Sequence, residues 1–403
     1  MKNLSFRTNN LPVRVYSGLE ALEQLPLEIS RLRAKRVLVL CGQTVAHRTP
    51  LISLIKSILG DSVVGVFDGI DKDASLDSVL SAIETARTVK PDLLLAVGAG
   101  SVLKATRIVA MQLGENRPLE ELMTLYPPGG GPAISRKLHA SKLPIINVLT
   151  APTNAQNRAG AALKNSALDH RMEFFDPKTC PAAVFWDSRA LATAPRSMSR
   201  NTGVTVFWLS LMGMGAMDAA NVLVQGDRRQ AYRLAQQALP RMGDDSDIAA
   251  RMEMCAAAFL QNREEQDGSS THRVHWVSRV VYALGSSLFN LFPQMSQGES
   301  YTTVTAAAIR CFGDRDPLAM AAIGEAIDGR ARLADTSVHL EVANTVETYF
   351  RGLGYPVRLR DVNVGRERLH EVLEFSTKNY NADPGREFLH ARPALLNTLE
   401  SAW

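Results

Sequence analysis

PDLLLAVGAGSVLKATRIVA, residues Pro91 to Ala110, decides the fold. Leu93 to Val97 are apolar without a break, the pattern of a strand buried on both faces. Gly98-Ala99-Gly100-Ser101 then turns the chain, and Val102, Ala105, Ile108 and Val109 recur at helical spacing. Strand, glycine-rich turn and helix is the arrangement by which an α/β fold presents backbone N–H groups and a positive helix end to phosphate. Glycine suits that turn because a Cβ would hold a pyrophosphate away from the backbone. Many βα turns need glycine for geometry only, so this stretch leaves nucleotide binding and a structural turn both open.

A chain of 403 residues is long for one core, and two domains are expected. Its 46% hydrophobic and 21% charged residues fit a globular protein. The net charge of +4 is small and the basic residues are dispersed, which gives no basis for a nucleic-acid partner. Cys41, Cys180, Cys255 and Cys311 form no CxxC pair, which argues against a zinc ribbon or disulfide framework and for a reducing, cytoplasmic setting. MKNLSFRTNN has no apolar core of a secretory signal. Val204 to Val224 is the most apolar stretch, but Asp218, Asn221 and glycines make it a buried helix, so no membrane association is expected.

Strands are expected at 12–16, 36–40, 63–66, 93–97, 143–149 and 182–186, and helices at 19–29, 50–59 and 75–89. This alternation predicts a doubly wound parallel sheet. Pro127-Pro128-Gly129-Gly130-Gly131-Pro132 reads as a surface loop, since its prolines lack N–H donors. Leu143 to Leu149 runs into the small polar loop Thr150 to Asn157, where such sheets bind ligands. From about Pro195 helical patterns take over, at 203–224, 227–239, 246–261, 272–290, 300–312, 316–330, 339–352 and 366–376. The fold expected is an α/β dinucleotide-binding domain over 1–190 followed by an all-α helical domain over 191–403.

That layout resembles the iron-containing (group III) alcohol dehydrogenases and the dehydroquinate synthase-like architecture they share. Val97-Gly98-Ala99-Gly100-Ser101 is similar to the family's GGGSxxDxAK turn, and Pro144 to Asn157 to the segment ending in TTAGTGSE. Cys180-Pro181 to Asp187, Pro195 with Thr202-Gly203, and Ala250 to Glu253 resemble further family stretches in the same order. The resemblance implies an NAD(P)-dependent oxidoreductase with its site between the two halves.

The resemblance also implies a divalent metal held by an aspartate, a histidine four residues on, and two further histidines. Thr205 and Leu209 stand at the first two positions. Gln297, before Gly298, stands at the last; an ungapped register puts Ala283 at the third and Ser287 at an extra active-site histidine. A register gapped around Leu284-Gly285 gives Ser278 and Tyr282 instead. Neither supplies good ligands for Fe²⁺ or Zn²⁺, so no metal is expected. His272 and His275, at i, i+3, with Glu299 or Asp218 are a weaker alternative, since such histidines are more often a solvated or capping pair.

On the nucleotide side, the family's aspartate is Lys104 and its later lysine is Arg107. Lys104 either meets phosphate or is merely exposed, and its position alone favours exposure. Arg171 stands where the family often has a lysine reaching toward the cofactor. The cofactor residues implied are Gly42, Gly98, Gly100, Ser101, Lys104, Thr150, Thr153, Asn154 and Arg171. Gly42 replaces the acidic residue of NAD-preferring members, which favours NADP mildly, with His47 or Arg48 near the 2′-phosphate.

Two functions follow. One is metal-independent reduction of a carbonyl or imine, with Tyr282, Ser287 and Gln297 as catalytic candidates and Tyr301, His272 and His275 behind them. The other is an inactive family member that binds a nucleotide or a partner. A cleft lined by Lys104, Arg171 and Gln297 favours the first; one filled by Trp208, Leu209 and Phe292 favours the second. A small-molecule substrate is expected, and dimerisation, common in the family, is compatible with the chain but not required by it.

Overall fold

The computed structural model describes residues 4–9, 11–267 and 272–403. The first part runs β1 (Arg14–Gly18), α1 (Leu25–Arg31), β2 (Val37–Leu40), α2 (Gln43–Arg48), α3 (Leu51–Leu59), β3 (Val63–Phe67), α4 (Leu76–Val89), β4 (Leu93–Gly98) and α5 (Gly100–Glu115). It continues through α6 (Leu119–Leu122), β5 (Ile145–Leu149), β6 (Gly160–Leu163), β7 (Met172–Phe175), β8 (Ala183–Asp187) and α7 (Ser188–Leu191). The rest is helical: α8 (Arg196–Met214), α9 (Val222–Ala238), α10 (Ile248–Gln261), α11 (Trp276–Leu291), α12 (Gln297–Phe312), α13 (Pro317–Asp328), α14 (Val338–Gly352), α15 (Leu369–Ser376) and α16 (Arg392–Ala402).

The six-stranded sheet has the order β1-β8-β5-β4-β2-β3, and every pairing in it is parallel. Each residue of β2 and β4 is buried, because helices cover both faces. Leu38, Leu40, Leu94 and Ala96 pack against α4 and α5 on one face. Val37, Val39, Leu93, Leu95 and Val97 pack with Leu25, Ile29 and Ile55 on the other. The chain winds outward through β2 and β3, then crosses back to β4 and winds the other way. The carboxyl ends of β2 and β4, at Cys41-Gly42 and Gly98, therefore flank the switch point where such sheets hold ligands.

Three expectations change. Val204 to Val224 is not one helix: α8 stops at Met214, and α9 restarts after Asn221, whose side chain caps it by accepting from Leu223 N and Val224 N. His272 and His275 do not share a helix face, because α11 begins at Trp276 with His275 as its N-cap. The antiparallel β6–β7 pair, α16 and the short α2 and α6 were not anticipated. No helix among the described residues is long and apolar enough to cross a membrane.

The two parts are stitched by buried polar contacts. Gln156 Nε2 donates to Cys255 O at 2.8 Å, and Trp186 Nε1 donates to Gln156 Oε1 at 2.8 Å. Lys72 Nζ reaches from the loop before α4 to the carbonyls of Pro293 and Met295 between α11 and α12. Within the helical part, α12 lies hard against α8: a Cβ at Gly298 would overlap the Asn201 carbonyl oxygen and the Val204 side chain. A backbone oxygen cannot swing away, so Gly298→Ala should cost about 1–3 kcal/mol, seen as a lower urea midpoint. A wild-type midpoint would show that α8 and α12 part freely.

Candidate active site

The phosphate-facing turn is built by the β4–α5 junction. Ala99 occupies the N-cap of α5 and offers no side-chain acceptor. The first N–H groups of this long helix therefore lack partners within it. A Cβ on Gly100 would sit 3.4 Å from Thr153 Oγ1, so the turn and the 150–157 loop face each other closely. Gly98 packs against its own helix, where a Cβ would lie 2.7 Å from Val102 Cγ2. Ser101 Oγ accepts from Asp73 N at 3.0 Å, and Thr150 N donates to Gly98 O at 3.1 Å. Asn154 Oδ1 accepts from Gln261 Nε2 at 2.8 Å, while its buried Nδ2 has no hydrogen-bond partner among the described residues. Unused helix N–H groups, a glycine at the point of closest approach and an orphaned amide donor fit a dinucleotide phosphate group.

Lys104 is not the exposed lysine its position suggested. It lies one turn beyond Gly100 on the same face of α5, set deep yet still in touch with solvent, as a residue lining a crevice is. Burial and the nearby Arg171 guanidinium push its ammonium pKa down to about 7, against a smaller opposing pull from Asp73. Arg107, one turn further, is buried and donates to the carbonyls of Ala155 and Gly160, so it builds the 150–160 loop. At the end of β2, a Cβ on Gly42 would sit 3.0 Å from Ile70 O. Asp68 lies alongside, with its Oδ2 2.6 Å from His47 Nε2.

From the helical side, Tyr282 enters the same crevice from α11. Its ring stacks on His272 with centroids 3.7 Å apart. Its hydroxyl lies 3.5 Å from Asn381 Nδ2. Burial raises the Tyr282 pKa, while Arg171 and Arg158 pull it down. It is thus a hydroxyl at neutral pH with positive charge ready to support its anion. Arg158 Nη1 lies 2.7 Å from His272 Nε2, and burial with the Arg158 charge holds that imidazole well below its usual pKa. Gln297 opens α12 and donates to the Tyr301 hydroxyl at 2.7 Å. The Tyr301 ring lies 6.3 Å from that of Tyr282. Ser287 stands apart, buried, with Oγ donating to Ala283 O at 2.9 Å. His275 caps α11, accepting from Ser278 N, and burial lowers its pKa to about 4.

The donor set does not fit a divalent metal. Thr205 Oγ1 donates to Asn201 O at 2.9 Å; Leu209 and Ala283 are buried and have no donor atom. Ser278, from the gapped register, is spent on the α11 capping box. No group of three or more His, Cys, Asp or Glu able to hold a metal occurs among the described residues. An aromatic pair fills the space between α8, α11 and α12. Trp208 and Tyr301 have ring centroids 4.5 Å apart, and Trp208 Nε1 donates to Thr305 Oγ1 at 2.9 Å. A Cβ at Gly285 would lie 2.5 Å from the Tyr301 ring, so that ring rests on bare backbone.

Residues 12–188 match the profile of the iron-containing alcohol dehydrogenases. Over those residues, somewhat under half of its length, the chain is similar to that family. Maleylacetate reductase 2 of Cupriavidus pinatubonensis is 28% identical over 250 residues, which span 62% of this chain and 60% of that protein. The NADPH-dependent aldehyde reductase YqhD of Escherichia coli is 26% identical over 212 residues, 51% of each chain. These two alignments thus span less than two thirds of the relatives' own lengths. The crystal structure of NADH-dependent butanol dehydrogenase A from Thermotoga maritima superposes with a TM-score of 0.84 at 17% identity, covering 99% of this chain and 98% of that one. The fold of the iron-containing alcohol dehydrogenases thus extends over both halves of this chain.

Of the residues expected at the site, Gly100 faces Thr153, Arg171 acts on Lys104, and the same guanidinium acts on Tyr282. Arg158 and Asn381 escaped sequence reasoning, because they meet His272 and Tyr282 only through contacts spanning 114 and 99 positions. The lowered Lys104 pKa gives a signed test. The folded protein releases this proton near pH 7 while the unfolded chain keeps it to about 10.4. Lys104 therefore destabilises the fold fully below pH 7, and progressively less between those values. Lys104→Met should raise the melting temperature at pH 6, with a gain that shrinks toward pH 10. A gain independent of pH would contradict the buried, charged lysine.

Proposed function

We propose that the protein is a nicotinamide-dinucleotide-linked reductase of a carbonyl, working without a divalent metal. The observation that carries this reading is the Tyr282 hydroxyl, held across the crevice from the phosphate-facing turn and within the field of Arg171 and Arg158. When bound and reduced, the dinucleotide supplies the hydride. Backbone N–H groups at the start of α5, with the Asn154 amide, hold its phosphates. Tyr282 donates its O–H to the carbonyl oxygen and passes over the proton as negative charge develops there, the task a metal has in metal-dependent carbonyl reduction. The guanidinium groups offset the charge left on the phenolate, which water then reprotonates. Gln297, by donating to the Tyr301 oxygen, leaves the Tyr301 proton free to point toward the same space. Hydride to carbon and proton to oxygen balance as reduction to an alcohol.

The inactive-relative alternative draws on Trp208, Leu209 and Phe292, which are packed into the helical core. Of these, Leu209 stands at a position the resemblance gives to a metal ligand, while Lys104, Arg171, Tyr282 and Gln297 all keep contact with solvent. Cysteines that form no disulfide are consistent with a reducing cytoplasm. Tyr282→Phe should lower kcat by about 10²-fold or more for a carbonyl substrate while leaving NADH affinity unchanged. Unaltered kcat would remove Tyr282 from the chemistry.

For the choice of dinucleotide, Gly42 leaves room for a 2′-phosphate, and this favoured NADP in the sequence. Asp68, from the end of the neighbouring β3, supports NAD instead. It sets a carboxylate beside the end of β2, where it would accept ribose hydroxyls and repel a 2′-phosphate. Asp68→Asn should narrow the gap between NADH and NADPH dissociation constants by about tenfold in a fluorescence titration. A wild type that binds NADPH more tightly than NADH would contradict this assignment.

A further inference from the structure

Most deeply set cations in this protein have a carboxylate. Lys142 Nζ lies 2.7 Å from Glu115 and 3.1 Å from Asp176. Arg228 lies 2.6 Å from Glu264, and Arg279 lies 2.8 Å from Asp383. Lys104 and Arg171 have none among the described residues. Arg171 Nη2 donates to Ala162 O at 3.1 Å, but its buried Nε makes no hydrogen bond. The acid that acts on it, Glu173, is committed elsewhere. Glu173 Oε2 accepts from the Tyr126 hydroxyl and from Tyr380 N, and burial pushes its carboxyl up toward the neutral form. Arg386, beside Tyr126, adds a further buried cation whose Nε and Nη1 are unpartnered. Among the described residues Lys104 has no hydrogen-bond or ion-pair partner. Positive charge gathered away from water without an anion is unfavourable until an anion arrives.

Position says which anion. The Arg171 guanidinium lies 5.4 Å from the centre of the Phe289 ring on α11. Phe289 is two turns beyond Tyr282 on that helix, hence on the same face and about 10 Å further along. The guanidinium therefore stands between α5, where its charge acts on Lys104, and α11, where it lies over Phe289 and acts on the Tyr282 hydroxyl. We propose that Arg171, flanked by Lys104, binds a carboxylate of the substrate, so that the compound reduced here is an oxo acid whose carbonyl meets Tyr282. A guanidinium with most of its N–H groups unused can take a carboxylate in bidentate fashion. The carboxylate takes no part in the bond changes; it orients the carbonyl and its charge completes the crevice. The inference rests on the carbonyl-reductase reading and names its substrate class.

Two titrations and one kinetic ratio test it. Succinate, an unreactive dicarboxylate, is titrated calorimetrically into the full-length protein alone and into protein saturated with NADH. Succinate should bind in both cases, and Arg171→Met should weaken it at least tenfold, with Arg171→Lys in between. Succinate binding that NADH abolishes would overturn the inference, because the cations would then belong to the cofactor's diphosphate. NADH binding with no succinate binding would overturn it too. Failure of NADH itself to bind would instead remove the underlying reductase reading, whatever succinate does. In turnover, 4-oxobutanoate should exceed butanal in kcat/KM by about 100-fold, and Arg171→Met should bring that ratio toward one. Equal kcat/KM for the two in the wild type would contradict the proposal.

Discussion

The Tyr301 ring resting on the bare backbone of Gly285 and against Trp208 is the contact on which the site depends. It locks α8, α11 and α12 together. An aromatic pair of this kind contributes about 0.5–1.5 kcal/mol beyond its burial, and the Trp208–Thr305 hydrogen bond about 1 kcal/mol more. Neither requires a charge in the core. The packed pair also sets where the remaining polar groups point. Gln297 is turned onto the Tyr301 hydroxyl, and the Tyr282 ring lies 6.3 Å from that of Tyr301.

Across the crevice the balance is reversed. Lys104 is set deep without an anion, and Arg171 shares that surplus. A fold selected for stability alone would pair or remove such groups, as it pairs Lys142 and Arg228. Their cost is the mark of a ligand that brings negative charge. The helical side thus carries a neutral donor within a positive field, and the sheet side carries the unsatisfied backbone of a helix start. The proposed dinucleotide and anionic carbonyl compound would complement these two halves.

Much of the fold was legible because it rests on local patterns. The run Leu93 to Val97 is buried on both faces, and the glycines after it mark the turn into α5, so the strand, the turn and the helix lie as expected. The β6–β7 pair was not legible. Its strands are four residues each, and Ala161 and Ala162 carry little strand preference. Hydrophobicity ran straight through the α8–α9 junction, where the Asn221 cap, not a change in polarity, separates the helices. In the site, the residue types of Thr205, Leu209 and Gln297 could be read from the sequence, but not what surrounds them. The role of Lys104 could not, because its depth and its neighbour Arg171 come from the folding of α5 against the 150–160 loop and β7. Tyr282 was named only through a gapped register, and the proximity of Asp68 to the end of β2 was hidden because Asp68 follows β3.

In the proposed reaction an organic donor set does the work of a metal. The most direct measurement is the rate of NADH oxidation on a carbonyl substrate by protein stripped with chelator, then supplied in turn with Fe²⁺ and Zn²⁺. The account predicts the same rate in all three states, with metal content near zero in the stripped active protein. Activity that is lost on stripping and restored by either ion would contradict it.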